Sequence, residues 1–422
     1  MSAKKRKSGP FITGMDIGTS KICIVVAETT DDGIDILSIS STPSAGLRKG
    51  VVISTDSASA AIRDALATAR QQSGVSIREA LVSISGNHVK VSTGSATVAI
   101  SGKNVSQTDV DKVIDAAGAP PVSTGREILH VLPTDFVVDG SRGIKDPLGM
   151  PGFSLEAHVN IITASSEPLR RLIMSCEKAG LQVSDVVLHS IASAEAALRS
   201  EDRDMGTAIV DMGAGTTDVA LFKDGWLQHA MVLGIGGNHL TNDLSVGLRV
   251  PFAEAERVKK QYGLTAAAGA ADEEIDVVGI DGEVRKISRR LIYEILHLRC
   301  EELLELIKKE LTRPEARDAI TGTVFTGGAV LVPGFDRLAE SILSLPIRTG
   351  CPDLIASGTG SSAPSLPFMT GVKEQYQGPE YAAAVGLVLY GSGYSGAADA
   401  ADDPGLLNKM TGFFKNIMGK NR

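Results

Sequence analysis

Residues 208–222 read AIVDMGAGTTDVALF. An apolar run, Ala208–Val210, leads into Asp211. Gly213 and Gly215 follow, then Thr216, Thr217 and Asp218, and a second apolar run, Val219–Phe222. Two β-type runs joined by a short Gly-rich stretch predict a hairpin. The turn chemistry predicts more than a reversal. Glycines lack a Cβ, so their backbone N–H groups can close on an anion. Thr216 and Thr217 add hydroxyl donors. Asp211, at the end of the first strand, is placed to hold a cation or its water, which a polyphosphate would need nearby.

The pattern occurs twice. Residues 12–27, ITGMDIGTSKICIVVA, give a strand, Asp16, Gly18, the hydroxyls of Thr19 and Ser20, Lys21 and a second strand, with Asp16 lying 195 residues before Asp211. One Gly-rich hairpin is weak grounds for a site. Two suggest related halves that offer phosphate-binding turns to a shared cleft. A third stretch, residues 323–335 (TVFTGGAVLVPGF), predicts a strand, a Gly327-Gly328 turn and a helix opened by Pro333-Gly334. Those glycines would let the backbone pass close to a flat ligand such as an adenosine.

Together these segments resemble the actin-like ATPase superfamily, which includes actin, sugar kinases and heat-shock chaperones. The fold class so implied is α/β: an actin-like, duplicated two-domain ATPase fold. A length of 422 residues agrees, being too long for one compact core. Hydrophobic content of 43% and a mean hydropathy of +0.09 describe an ordinary globular chain. Aromatics at 4% argue against a base-stacking nucleic-acid surface. Cys23, Cys176, Cys300 and Cys351 form no C-x-x-C pair, which fits a reducing compartment without a zinc site. No apolar run is long enough to span a bilayer, and no signal peptide follows the basic start.

Between Gly86 and about Asn160 the character changes. Short strands (Val89–Val91, Ala96–Ile100), a helix (Gln107–Ala117) and strands Ile128–Val138 and Leu155–Thr163 predict a small α+β module inserted into the first domain. An insertion at this place narrows the resemblance to the FtsA family, the actin-like proteins of the bacterial division ring. On that basis the chain divides into domain 1 (1–85 and 163–190), the inserted α+β subdomain (86–162), the domain 2 core (191–239 and 313–350), a domain 2 subdomain (240–312), a closing segment of domain 1 (351–390), a flexible linker (391–403) and a C-terminal amphipathic helix (404–422). Residues 356–379, rich in Ser, Gly and Pro, read as an irregular loop. In the helix expected over Ser288–Leu311, the apolar stripe is Leu291, Ile292, Ile295, Leu298, Leu303, Leu306 and Ile307. The small residues of Ile191–Leu198 suit closely crossing helices at a hinge, or a merely Ala-rich helix.

The resemblance implies ATP with Mg²⁺ as cofactor. Gly18, Thr19, Ser20, Lys21, Gly213, Gly215, Thr216 and Thr217 would face phosphates. Asp16 and Asp211 would hold the metal through water. Gly236, Gly237, Gly327 and Gly328, with Glu256 and Lys259 one helical turn apart, would bracket the adenosine; a surface ion pair is the other reading of Glu256 and Lys259. Relatives place a Glu or Gln before the connecting helix, where this chain has His189. His189 and Asp211 are therefore the catalytic candidates, His189 has a purely structural alternative, and hydrolysis is expected to be slow. The implied function is a division adaptor that polymerises at the cytoplasmic face of the inner membrane, peripherally, at the septum. Its partners would be the C-terminal peptide of FtsZ, further copies of itself, other division proteins and anionic lipid. Arg289, Arg290 and Glu301 are candidate partner-facing residues. A pilus-assembly adaptor or a small-molecule kinase of the same superfamily are the alternatives.

The charge distribution supports a membrane contact at one end. Lys4, Lys5, Arg6 and Lys7 open the chain, and Lys409, Lys415, Lys420 and Arg422 close it, with no acid in either segment. The net charge of −8 thus conceals a body near −16. The N-terminal cluster reads as a solvated tail. In the last segment Leu406, Leu407, Met410, Phe413, Phe414, Ile417 and Met418 recur at helical spacing, with Lys415 near the boundary of the stripe. At ~1.5 Å per residue this helix is about 20 Å long, too short to span and suited to lie in the interface; a C-terminal helix docking on its own core is the other reading.

Overall fold

The computed structural model describes residues 9–30, 33–119, 123–265, 273–313, 320–352 and 368–393. The expected tail at 404–422 lies outside the described residues. The first half opens with the antiparallel strands β1 (Phe11–Ile17), β2 (Lys21–Thr30) and β3 (Gly33–Pro43), followed by a two-residue pair, β4 (Leu47–Arg48) and β5 (Val51–Val52). Helix α1 (Thr55–Ser73) starts where the Ser54 side chain accepts the Ser57 N–H and stops at left-handed Gly74. Ala58, Ile62, Ala65, Leu66 and Ala69 form its buried face. Strand β6 (Glu79–Ile84) then joins β1 in parallel.

The inserted module comes next: β7 (Val89–Ala99), α2 (Gln107–Ala117), β8 (Arg126–Val138), β9 (Ser141–Ile144) and β10 (Ser154–Ser165), in a sheet ordered β7-β10-β8-β9. β7 is one strand of 11 residues where two short ones were expected. The polar Thr93-Gly94-Ser95 stretch does not break it, because Gly94 lies where a Cβ would strike the Ala117 carbonyl oxygen; the glycine admits α2. The chain returns through α3 (Ser166–Lys178), β11 (Gln182–Leu188) and α4 (His189–Ala197).

The second half repeats the first. α5 (Ser200–Met205) precedes the meander β12 (Thr207–Met212), β13 (Thr217–Lys223) and β14 (Trp226–Leu233). Helices α6 (Gly237–Leu248) and α7 (Phe252–Tyr262), the hairpin β15 (Glu274–Val278) and β16 (Val284–Ser288), and α8 (Arg289–Leu311) build the subdomain. β17 (Gly322–Thr326), α9 (Phe335–Leu343) and β18 (Ile347–Thr349) complete the sheet. Its order, β14-β13-β12-β17-β18, matches β3-β2-β1-β6-β11, with the last two strands of each parallel to the first. The closing segment adds β19 (Phe368–Thr370), parallel to β3, inside the stretch expected to be irregular, and ends in α10 (Ala382–Gly391).

The α8 stripe also differs from expectation. Ile292, Leu296, Cys300, Leu303, Leu304, Ile307 and Leu311 are buried, whereas Leu291 and Leu298 are exposed. The helix is wedged between α6 and α9, so the seam follows those two neighbours.

The halves are joined through two crossing helices. α4 leaves the first sheet and packs on β12 and β13, while α10 follows β19 and packs on β1, β2 and β6 of the first sheet. They cross in contact. A Cβ on Gly386 would collide with the Ala192 carbonyl oxygen, and one on Gly14 of β1 would lie 2.7 Å from Leu387 Cβ. The small residues of α4 therefore serve a close crossing, with every residue from Ser190 to Ala197 buried. Substituting Gly386→Ala should lower stability by about 1–3 kcal/mol, the usual range for overpacking. Thermal unfolding checks this: an unchanged midpoint would mean that the crossing tolerates a wider gap.

Candidate functional site

The strand registers define both turns. Ile17 pairs with Ile22 and Met212 with Thr217, so each turn spans four residues, 18–21 and 213–216. Gly18 N donates to Lys21 O at 3.0 Å, and Gly213 N to Thr216 O at 2.9 Å. The repeat therefore sets Lys21 against Thr216 and Ser20 against Gly215, so the hydroxyls of the two turns are not equivalent. Thr217 is fully buried inside β13 and donates to Ile235 O at 2.9 Å. Behind the second turn run Gly236 and Gly237. Gly237 N donates to Gly213 O at 2.9 Å, and a Cβ on Gly236 would lie 2.5 Å from that same oxygen.

The two turns face each other. A Cβ on Gly215 would strike Thr19 Oγ1, which accepts the Gly50 N–H at 3.1 Å. Ser85, just past β6, donates its hydroxyl to Asp218 Oδ2 at 2.6 Å and lies 2.9 Å from Thr216 Oγ1. Burial pushes the Asp218 carboxyl up to about 7. The cleft is thus narrow and bridged by hydroxyls.

His189 opens α4 between the two repeat aspartates. Its Nδ1 lies 3.3 Å from Asp16 Oδ1 and its Nε2 3.1 Å from Asp211 Oδ2. Ser83 donates to Asp16 Oδ1 at 2.6 Å, and Ser193 donates to Asp211 Oδ2. Burial opposes a charge on His189, but Asp211 and Asp16 outweigh it and hold its pKa well above 6.5. Burial likewise opposes ionisation of Asp16, yet His189, Ser83 and Lys21 hold it below its ordinary 3.8. The ring is therefore an imidazolium with both N–H groups engaged, and it has no lone pair with which to take a proton from water.

Across the cleft, Lys259 is buried and donates to Glu256 Oε2 at 2.6 Å, Thr241 Oγ1 at 3.0 Å and Gly237 O at 3.2 Å. Thr241 also donates to Glu256 Oε2 at 2.5 Å. The pair is an internal brace for the Gly236–Gly237 segment rather than a surface ion pair. Gly327, at φ +88°, sits where a Cβ would strike Asp211 Oδ1, so the Gly-Gly turn reaches the aspartate directly.

Among the residues guessed to face partners, Arg290 pairs with Glu294 on the exposed face of α8, and His297 lies 3.8 Å from Glu301. Arg289 instead holds Glu273 at 2.5 Å and Thr265 Oγ1 at 2.7 Å, and is bound to its own subdomain. The residues proposed for membrane contact, Leu406 to Met418, lie outside the described residues.

Sequence reading missed Ser83, Ser85, Ser193 and Asp218. Ser83 in β6 and Ser85 just past its end are two residues apart, and Ser193 is four residues after His189 on α4. Both spacings were available signals.

The charges fix the pH behaviour. His189 holds its proton more tightly folded than unfolded. Its contribution is full below 6.5 and is lost as pH rises through the raised folded value. Asp16 runs the other way: its contribution is present above 3.8 and is lost as pH falls through the lowered folded value. Replacing His189 by Ala leaves two buried carboxylates without their counter-ion and should lower the unfolding free energy by about 3 kcal/mol near pH 6. The gap from wild type should narrow as pH climbs. Urea unfolding at several pH values measures it, and a gap that stays constant would show that His189 is not a charged bridge.

Comparison with known proteins places the chain. Residues 208–386 match the family model "Cell division protein FtsA", and residues 86–163 match that of the SHS2 domain inserted in FtsA. The chain is 35% identical to a cell division protein FtsA of Pseudomonas aeruginosa, over 94% of this chain and 95% of the relative. It is 37% identical to that of Borreliella burgdorferi, over 90% of each. Among solved structures, the PilM-PilN type IV pilus biogenesis complex aligns with a TM-score of 0.64 at 18% identity, covering 90% of this chain and 98% of that one, a likeness of fold alone. With relatives this similar over nearly its whole length, and with the inserted domain at the position where its own sheet and helix are found, the chain belongs to the FtsA family of cell division proteins.

Proposed function

We propose that this division protein is a nucleotide-switched adaptor. It takes ATP and Mg²⁺ between its halves, assembles into filaments on the cytoplasmic face of the inner membrane at the septum, and tethers the FtsZ ring there. The observation that carries the nucleotide part is the meeting of two equivalent turns from opposite halves, with Asp16 and Asp211 aimed at one point. The residues suit an anion with a divalent cation. Two buried carboxylates converge, glycines crowd the turns, and Asp218 Oδ1 is buried without a hydrogen-bond partner.

Gly18, Thr19, Ser20 and Lys21 on one side and Gly213, Gly215 and Thr216 on the other would hold phosphates. Asp16 and Asp211 would hold Mg²⁺ through water, since that ion gives up its hydration shell reluctantly. Gly236, Gly237, Gly327 and Gly328 would flank the adenosine, with Thr241, Glu256 and Lys259 bracing the Gly236–Gly237 segment. ATP would supply a removable γ-phosphoryl group, and so two states for one site. Thr19 lies against Gly215, so the halves would part to admit phosphates. His189, with both ring nitrogens engaged, is not a base for water in this arrangement, and hydrolysis would be slow.

The subdomain at 240–312 would receive the C-terminal peptide of FtsZ. The module at 86–162 would meet neighbouring subunits or later division proteins. These assignments rest on family membership at the level of domains.

Calorimetry tests the nucleotide site. Asp211→Ala and Gly213→Asp should each weaken ATP binding at least about tenfold, ~1.4 kcal/mol. If both bind as tightly as wild type, the site is elsewhere. The membrane part rests on the tail, whose polar residues include Lys409, Lys415, Lys420 and Arg422 without an acid. Each basic group near anionic lipid adds about 1 kcal/mol, and the Phe413-Phe414 pair suits the acyl boundary. Among the described residues no helix is long and apolar enough to cross a membrane. The full chain should co-sediment with anionic liposomes, while Phe413→Glu with Phe414→Glu and a chain ending at Asp403 should stay in solution. Equal pelleting of all three would remove the tail as the anchor.

A further inference from the structure

Lys21 closes the first turn, and its ammonium lies 3.9 Å from the centroid of the Tyr381 ring. Tyr381 comes from far along the chain, at the end of the 3-10 turn Pro379–Tyr381 that leads into α10. That turn is fastened to the second half. Pro379 O accepts the Gly327 N–H at 3.1 Å and the Thr326 hydroxyl at 2.9 Å. A Cβ on Gly328 would lie 3.6 Å from Glu380 Cβ, in ordinary contact. Three successive residues therefore touch both faces of the cleft: Pro379 and Glu380 meet the Gly-Gly turn of one half, and Tyr381 meets the lysine of the other. Tyr376 stands edge-on to the Tyr381 ring, with centroids 5.3 Å apart and planes at 88°, and so limits the ring's freedom.

A lysine carries a compact charge on a long flexible stem, and ordering that stem costs entropy whenever the charge is used. An aromatic face attracts the ammonium through the ring quadrupole and occupies only one side of it. N–H groups directed away from the ring stay available to an anion.

We propose that Tyr381 is a positioning residue for Lys21. It pre-orders the ammonium at the first phosphate turn, and through Pro379 it ties that order to the adenosine-facing turn of the opposite half. The proposal rests on the reading that the cleft takes ATP. It goes beyond that reading by assigning to a residue outside both turns the job of setting affinity for the phosphate part of the ligand.

The test is calorimetry on the full chain with ATP and with adenosine. Tyr381→Leu should weaken ATP binding about two- to tenfold, the range expected for one cation–π contact. Adenosine binding should change little. Tyr381→Phe keeps the ring face and should restore ATP binding to near the wild-type value. In a Lys21→Ala background, adding Tyr381→Leu should cost nothing further. The proposal is overturned if Tyr381→Leu binds ATP as well as or better than wild type while Asp211→Ala still abolishes binding. It is also overturned if adenosine weakens as much as ATP, or if the loss persists without Lys21, since Tyr381 would then act only through packing. A wild-type chain that binds no ATP at all would sink the nucleotide reading together with this one.

Discussion

The structure depends on two helices that touch through backbone. α4 leaves the sheet of the first half for that of the second, α10 lies on the sheet of the first, and they pass at Ala192 and Gly386 with no side chain between them. Contact this close is possible only where Cβ atoms are small or missing. It also sets everything downstream. His189 begins α4, so the position of α4 brings the imidazolium between Asp16 and Asp211. Tyr381 comes just before α10, so the position of α10 brings its ring beneath Lys21. The separation of the halves and the composition of the cleft are thus set by the same crossing.

The electrostatics of the cleft follow from its geometry. Two repeat aspartates at the ends of equivalent strands necessarily point toward the same region, and two buried carboxylates at close range repel. The chain answers with an internal cation. Hydroxyls from Ser83 and Ser193 satisfy the aspartates further, and Ser85 joins Asp218 and Thr216 across the gap. Any divalent cation that enters meets carboxylates already engaged with an imidazolium. Affinity would therefore include the cost of rearranging that bridge.

Much of the architecture was legible because it is periodic or repeated. The duplicated Asp-x-Gly hairpins predicted two halves, and the registers of β1–β2 and β12–β13 bear that out. The helix expected over Gln107–Ala117 is α2 as found, opened by the Ser106 capping box. The errors arose where a tertiary neighbour decides. Gly94 looks like a strand breaker, yet it is the place where α2 rests on β7. The stripe of α8 is set by α6 and α9, so Leu291 and Leu298, apolar and well spaced, face solvent. In the site, the glycines, aspartates and His189 were visible as motif residues. The serines were present only as spacings, two residues apart in Ser83 and Ser85 and four from His189 to Ser193, and such a spacing gains meaning only once the strand or helix bearing it is positioned.

The module at 86–162 is joined by its chain to the first half but is seated on the second. Asn160 is buried and gives both hydrogens of its amide to β14, to Leu227 O at 2.7 Å and Gln228 O at 3.0 Å. Phe136 meets Trp226 edge-on, and Lys145 pairs with Asp204 at 2.8 Å. At its other end Arg126 is threaded into the root of the module, bonding His88 O and Thr163 O. A body held at both ends works as the pointer of a gauge. If the halves rotate about the α4–α10 crossing, the module must either swing with β14 or surrender the paired bonds of one asparagine. A small change of angle deep in the cleft would then be read as a displacement at the far rim of the molecule.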